Sequence, residues 1–86
     1  MQIVAALAAG PPGRIGFVIG GKSIPRAVDR NRLRRRLREI VRQARPAIAQ
    51  FDVIVRVKRA VARAEISAAA DEGRTLVDRL VANTQR

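Results

Sequence analysis

Leu33-Arg34-Arg35-Arg36-Leu37-Arg38-Glu39-Ile40-Val41-Arg42-Gln43-Ala44 is the stretch that decides the fold. Leu33, Leu37, Ile40, Val41 and Ala44 fall at i, i+4, i+7, i+8 and i+11, which is one stripe on a helix of 3.6 residues per turn. Such a helix buries one edge and needs an apolar surface to receive it. Pro25 suits its first turn and Pro46 is predicted to end it. On the N-terminal side, Arg14 to Gly20 reads as a strand of β-branched and aromatic residues between glycines, and Gln2 to Leu7 as another. The short Gly10-Pro11-Pro12-Gly13 link favours pairing these two as an antiparallel hairpin. On the C-terminal side, Asp52 to Lys58 is a third strand. Val53, Val55 and Val57 share one face of it, and Ile54, Arg56 and Lys58 the other, so one side of the sheet is buried and the other partly wet.

A second helix is predicted from Ser67. That residue can cap it, Asp71 and Glu72 suit its positive end, and Leu76, Val77, Leu80 and Val81 form its apolar stripe. Gly73 within it costs about 1 kcal/mol relative to Ala. The order β-β-α-β-α makes an α+β fold, an α/β sandwich with helices on one face of a small sheet. The pattern does not fix the hand of the crossover, for which right-handed is the usual prior. Eighty-six residues leave room for a single domain, residues 1–86, with one core.

Eighteen Lys and Arg against seven Asp and Glu give a formal net charge of +11. Most of it is concentrated in residues 22–45, where Lys22 and nine arginines face only Asp29 and Glu39, for +8. A polyanionic partner is the natural counterpart. His, Cys, Trp and Tyr are all absent. That removes imidazole acids and bases, thiol nucleophiles and zinc clusters, so no catalytic residue and no metal site is expected from the side chains. A nuclease built on the seven carboxylates would need them gathered around an ion, and Asp29, Glu39 and the others scatter along the chain. The longest apolar run, Ile3 to Ala9, is too short to cross a bilayer, and the first basic residue is Arg14, so no secretory leader is read. The expected location is the cytoplasm, away from any membrane.

At about 100° per residue, Asn31, Arg35, Arg38 and Arg42 share the helix face opposite the Leu/Ile stripe, with Arg32 beside them. Arg34 and Arg36 flank the boundary, and Arg30 overhangs the core edge. Glu39 is placed to pair with Arg35 or Arg36. The remaining like charges repel at i+3 and i+4, each pair costing a few tenths of a kcal/mol. A surface selected for solubility alone would mix signs. Guanidinium forks in a row suit phosphate oxygens, whereas a charge run is often only a solvated face. Duplex DNA reading would require a second helix just ahead of this one, and none precedes it. Among the aromatics, Phe51 belongs to the core, while Phe17 suits either core or a stacking platform. Gly20-Gly21-Lys22-Ser23 could bring backbone N–H groups near a phosphate, though without an established phosphate-loop spacing.

Arg30-Asn31-Arg32, followed by Leu33-Arg34-Arg35-Arg36-Leu37-Arg38-Glu39, resembles the protein subunit of bacterial ribonuclease P. So do the flanks: Arg14-Ile15-Gly16-Phe17-Val18-Ile19-Gly20-Gly21-Lys22 resembles the family's Gly-aromatic strand and lysine pair, and Phe51-Asp52-Val53-Ile54-Val55 the strand after its helix. The resemblance is sharp over residues 14–57 and loose afterwards. It implies a small mixed sheet with a left-handed βαβ crossover through the arginine helix. It also implies a ribonucleoprotein endonuclease that removes the 5′ leader of precursor tRNA, with catalysis by the RNA subunit and by Mg2+ bound mainly there. Carried over by position, Arg30, Asn31, Arg32, Arg35 and Arg38 would bind the RNA subunit, with Arg34, Arg42, Lys22 and Arg26 beside them. Phe17 and Lys22 would line the leader cleft. Two departures accompany it: Gly21 stands where the first lysine of the pair would be, and the basic helix that normally precedes the first strand is expected to be missing. A general basic RNA-binding or ribosome-associated module, with no part in cleavage, is the alternative reading of the same charge.

Overall fold

The computed structural model describes residues 1–84. Strand β1 (Gln2–Leu7) and strand β2 (Ile15–Ile19) precede helix α1 (Ala27–Ile48), which leads into strand β3 (Phe51–Val57); a 3-10 turn (Arg63–Glu65) then opens onto helix α2 (Ile66–Thr84). The elements, their order and the α+β class agree with the sequence reading. The pairing differs. β3 lies in the middle of the sheet, antiparallel to β1 and parallel to β2, so β1 and β2 do not form a hairpin.

The reason lies in the connecting loop and in β3 itself. The loop between β1 and β2 bonds to the α1–β3 corner rather than across to itself: Ala8 N–H donates to Gln50 O (2.8 Å) and Gly13 N–H to Ala49 O (2.6 Å). A Cβ on Gly13 would collide with the carbonyl of Phe51, so only glycine lets the loop pass this close to the start of β3. β3 carries the richest run of β-branched residues, and the central position gives it a neighbour on both edges. Its Val53, Val55 and Val57 are buried and alternate with exposed Asp52, Ile54 and Arg56, as the period of two requires.

Both helices cover one face of this mixed sheet. Leu33, Leu37, Ile40, Val41 and Ile48 of α1 join the three valines of β3 and Ile66, Ala69, Ala70 and Val77 of α2 in one core, with Phe17, Phe51 and Ala44 packed against it. Gly73 has a packing role that outweighs its poor helix propensity: a Cβ there would lie 2.5 Å from Cδ2 of Leu37, so its absence lets α2 close onto α1. The opposite sheet face is bare, with Val4, Val18 and Ile54 exposed on it.

Three helix ends depart from the reading above. Arg26 is the N-cap of α1, which puts Pro25 just outside the helix instead of in its first turn. Pro46 does not end α1, which runs on to Ile48. Near a helix C-terminus proline forfeits one backbone hydrogen bond, and burial of Ile48 holds the last residues in place. α2 begins at Ile66 behind the 3-10 turn, so Ser67 is inside its first turn rather than at the cap. Among the described residues, no helix is long and apolar enough to cross a membrane.

Candidate nucleic-acid interface

Because α1 turns Leu33, Leu37, Ile40 and Val41 inward, its opposite face is fixed by the same period. Asn31, Arg32, Arg35, Arg38 and Arg42 are all exposed on it, Arg34 is half-buried at its margin and Arg36 is exposed. The predicted face exists as one surface on one rigid element. Its arginines, however, are not equivalent, and their partners sort them.

Arg30 is turned back on the chain. Its Nη1 donates to the carbonyl oxygens of Ile24 and Pro25, both at 2.9 Å, and so ties the lead-in segment to the first turn of α1. Asn31 accepts from Arg34 Nη1 at 3.0 Å, and Arg36 Nη1 reaches Ser67 Oγ of α2 at 2.8 Å. Glu39 pairs with Arg42, not with Arg35 or Arg36: Arg42 Nε donates to Oε2 at 2.9 Å. At i and i+3 this pair lies on the outer face, where both side chains are free to meet. The hydrogen bond from Arg42 holds the Glu39 carboxyl below the usual carboxylate range. Arg32 and Arg35 have no hydrogen-bond or ion-pair partner among the described residues. With Arg38, which likewise has no hydrogen-bond or ion-pair partner among the described residues, they are the α1 guanidiniums most available to an external phosphate.

Arg30 therefore orders the backbone next to the interface. Arg30→Gln should lose two charge-assisted bonds to carbonyls, about 1 kcal/mol after allowance for partial exposure. That corresponds to a fall in Tm of about 4–8 °C in thermal unfolding followed by circular dichroism. Its slope of log RNA affinity against log salt should equal that of the parent chain. A slope reduced by about one phosphate would mean that Arg30 reaches RNA instead.

Lys22 projects from the turn after β2, and the turn is fastened from below. Ser23 is buried, its Oγ donates to Val57 O at 3.0 Å, and Val61 N–H donates to Ser23 O at 2.9 Å. The Ser23 and Ile24 N–H groups both point at Gly20 O (3.1 Å each), so these two amides are spent inside the turn and cannot cradle a phosphate. Arg26 is exposed at the helix start, near this turn in sequence. Phe17 is half-buried on the helix-covered side of β2, with the Arg38 guanidinium carbon 5.9 Å from its ring centroid. It floors a groove lined by Ile15, Arg38, Val41, Arg42 and Arg45, and not by Lys22.

One residue escaped the sequence reading. Asp29, in the first turn of α1, is buried, and its Oδ1 has no hydrogen-bond partner; Arg63 Nε stands 3.6 Å away. An acid at that position favours the positive end of the helix, which the sequence could have signalled. Its burial beneath the β3–α2 connection depends on chain distant in sequence and could not be read. Beside the start of β1, Glu72 accepts from the amino group of Met1 (2.9 Å) and from Arg59 Nη2 (2.9 Å). Those bonds, the one from the amino group first, hold its carboxyl below the usual range. Among the described residues, no three acidic side chains gather into a set that could hold a metal ion.

Residues 1–81 match the family model described as Ribonuclease P. The ribonuclease P protein component of Ralstonia pickettii (strain 12J) is 38% identical over 55 residues, 64% of this chain and 39% of its own length. That of Alcanivorax borkumensis is 46% identical over 48 residues, 56% of this chain and 40% of its own length. That of Idiomarina loihiensis is 36% identical over 58 residues, 67% of this chain and 46% of its own length. The chain spans about two-fifths of the length of the first two relatives. No solved structure matches it.

Proposed function

The chain belongs to the ribonuclease P protein family, and from that premise we propose that it is an RNA-binding subunit assisting a catalytic RNA in removing the 5′ leader of precursor tRNA. The observation that carries this reading is the outer face of α1, where Arg32 and Arg35 stand unpartnered among the described residues on a helix anchored by its buried stripe. An ordered row of guanidiniums lowers the repulsion between two phosphate backbones and fixes their approach. Arg38, Arg34, Arg42, Asn31, Lys22 and Arg26 extend the same contact, and Arg30 supports it from inside. Cleavage itself belongs to the RNA in this reading. Magnesium bound to that RNA would supply Lewis-acid stabilisation of the phosphoryl oxygens, and among the described residues the scattered carboxylates of this chain do not fit the ion.

The crossover from β2 through α1 to β3 joins adjacent parallel strands. We assign it the left hand that the family resemblance implies, in one domain of a cytoplasmic protein that contacts neither membrane nor DNA. The test is reconstitution of the full chain with a bacterial ribonuclease P RNA at low magnesium, scoring 5′ maturation of precursor tRNA. Addition of the chain should lower the magnesium needed for cleavage and raise the rate at limiting magnesium. Binding to this RNA no tighter than to bulk RNA at equal salt, with no gain in cleavage, would reduce the protein to a general basic RNA-binding module.

A further inference from the structure

The end of the sheet away from the arginine helix has a character of its own. In the order β1-β3-β2, α2 packs over β1 and α1 over β2. Helix α1 sets eight arginines against Asp29 and Glu39, whereas β1 has no charged side chain and α2 sets Asp71, Glu72 and Asp78 against Arg74 and Arg79. The outer edge of β1 is bare among the described residues. Ala8 N–H bonds to Gln50 O in the register of the β1–β3 pair, so by the alternation of an antiparallel ladder Gln2, Val4 and Ala6 turn their amides and carbonyls to β3, while those of Ile3, Ala5 and Leu7 face off the edge. None of the devices that blunt such an edge interrupts it: Gln2–Leu7 contains no charged residue, no proline and no bulge. Beside it a groove of about 310 Å3 runs between β1 and α2, lined by Ile3, Ala5, Leu76, Arg79, Leu80 and Asn83. Leu7, on the same face of β1 as Ile3 and Ala5, is 76% exposed, the most exposed large apolar side chain among the described residues.

We propose that a second copy of this chain pairs with β1 along this edge, antiparallel about a two-fold axis at Ala5. A strand that meets itself in this way satisfies every outward group. Ala5 exchanges both backbone bonds with Ala5 of the second copy, and at each end Ile3 exchanges both with Leu7 of the second copy. Directly opposite residues share a face, so the exposed Leu7 of each copy comes to lie beside Ile3 of the other, at the groove bordered by Leu76 and Leu80. Within one chain Leu7 and Ile3 stand about 13 Å apart along the strand, so the two-fold is what brings knob and groove together. Charge selects the same edge. Pairing through β1 keeps the two arginine helices at opposite ends of the joined sheet, whereas pairing through β2 would set them side by side. The contact is independent of the RNA-binding reading above, and it leaves the outer face of α1 open on both copies.

Sedimentation equilibrium of the full chain, free of RNA, should show monomer and dimer in exchange, with the dimer fraction rising with salt as screening relieves the repulsion between copies. Leu7→Lys should weaken the dimer about a hundredfold, since the two-fold puts the change at both ends of the contact. Ala5→Pro removes an amide that serves no bond within the chain, and it should also favour the monomer with the circular dichroism spectrum unchanged. Leu7→Lys, at an exposed position, carries the test should proline disturb the strand. The chain has no cysteine, so Ala5→Cys reads the register. Opposite Cα atoms of a bonded pair lie about 5.5 Å apart, within reach of a disulfide. Mild oxidation should therefore link copies through Ala5→Cys faster than through Val18→Cys on the β2 edge, although Val18 is the more exposed residue. A monomer at every concentration and salt would overturn the proposal, as would a dimer that either folded variant leaves intact. Linkage through Val18→Cys as fast as through Ala5→Cys would overturn it too. Association that grows past the dimer without limit would place the contact on the bare sheet face and have the same consequence.

Discussion

Reversing Arg32 and Arg35 together to Glu should weaken binding to ribonuclease P RNA by two orders of magnitude or more. Both are exposed on α1 and neither has a partner to lose within the described structure, so the full effect falls on the external contact. A hydrogen bond to a charged group contributes about 1.5–3 kcal/mol, and each 1.4 kcal/mol is a factor of ten. The salt dependence should change in step, with the slope of log affinity against log salt shrinking by about 0.7–0.9 for each phosphate released. Arg42→Gln serves as the internal comparison. Glu39 already neutralises that guanidinium, so its removal should cost several-fold less than either reversal. Affinity and slope both unchanged in the double variant would remove α1 from the interface.

Leu33→Ala should abolish most of the stability of the free chain without touching a single arginine. Leu33 is 0% exposed at the centre of the α1 stripe. Deleting a buried leucine side chain costs about 2–5 kcal/mol through lost transfer energy and the cavity left behind. A domain of this size has little more than that to lose. In circular dichroism melts the variant should be largely unfolded at 37 °C on its own. Saturating RNA should restore part of the helix signal, since a ligand at 100 times its Kd stabilises the folded state by about 2.7 kcal/mol. A Tm within about 5 °C of the parent would show that the core tolerates the cavity, and α1 would then owe its position to other contacts.

The contrast between these two variants follows from how α1 divides its residues, and that division was legible because a period of 3.6 leaves no choice about which side chains share a face. The strands were equally plain in Val53, Val55 and Val57. Their partners were not. A run of β-branched residues states that it will pair, but the choice between β1–β2 and β1–β3 was made by the loop at Gly13, whose hydrogen bonds go to the α1–β3 corner. The same limit governs the interface. Which arginines exist on the outer face follows from spacing alone. Which of them are free depends on partners: Arg30 finds the carbonyls of Ile24 and Pro25, Arg36 finds Ser67 on the other helix, and Glu39 chooses Arg42 over two candidates at comparable reach. Asp29 is the clearest case, since only the folded chain between β3 and α2 makes an ordinary first-turn acid a buried one.

The bare side of the sheet carries a practical consequence. Val4, Val18 and Ile54 form an oily strip between two strands whose outer edges have no neighbour within the described residues, the arrangement through which β proteins stick to one another. Mutual repulsion from eleven excess positive charges opposes such contact, and that repulsion fades once the Debye length falls to a few ångströms. The concentrated electrolyte that strips nucleic acid from such a protein during purification is thus also the medium in which it is most prone to precipitate, and dilute buffer or an anionic companion is what keeps it dispersed.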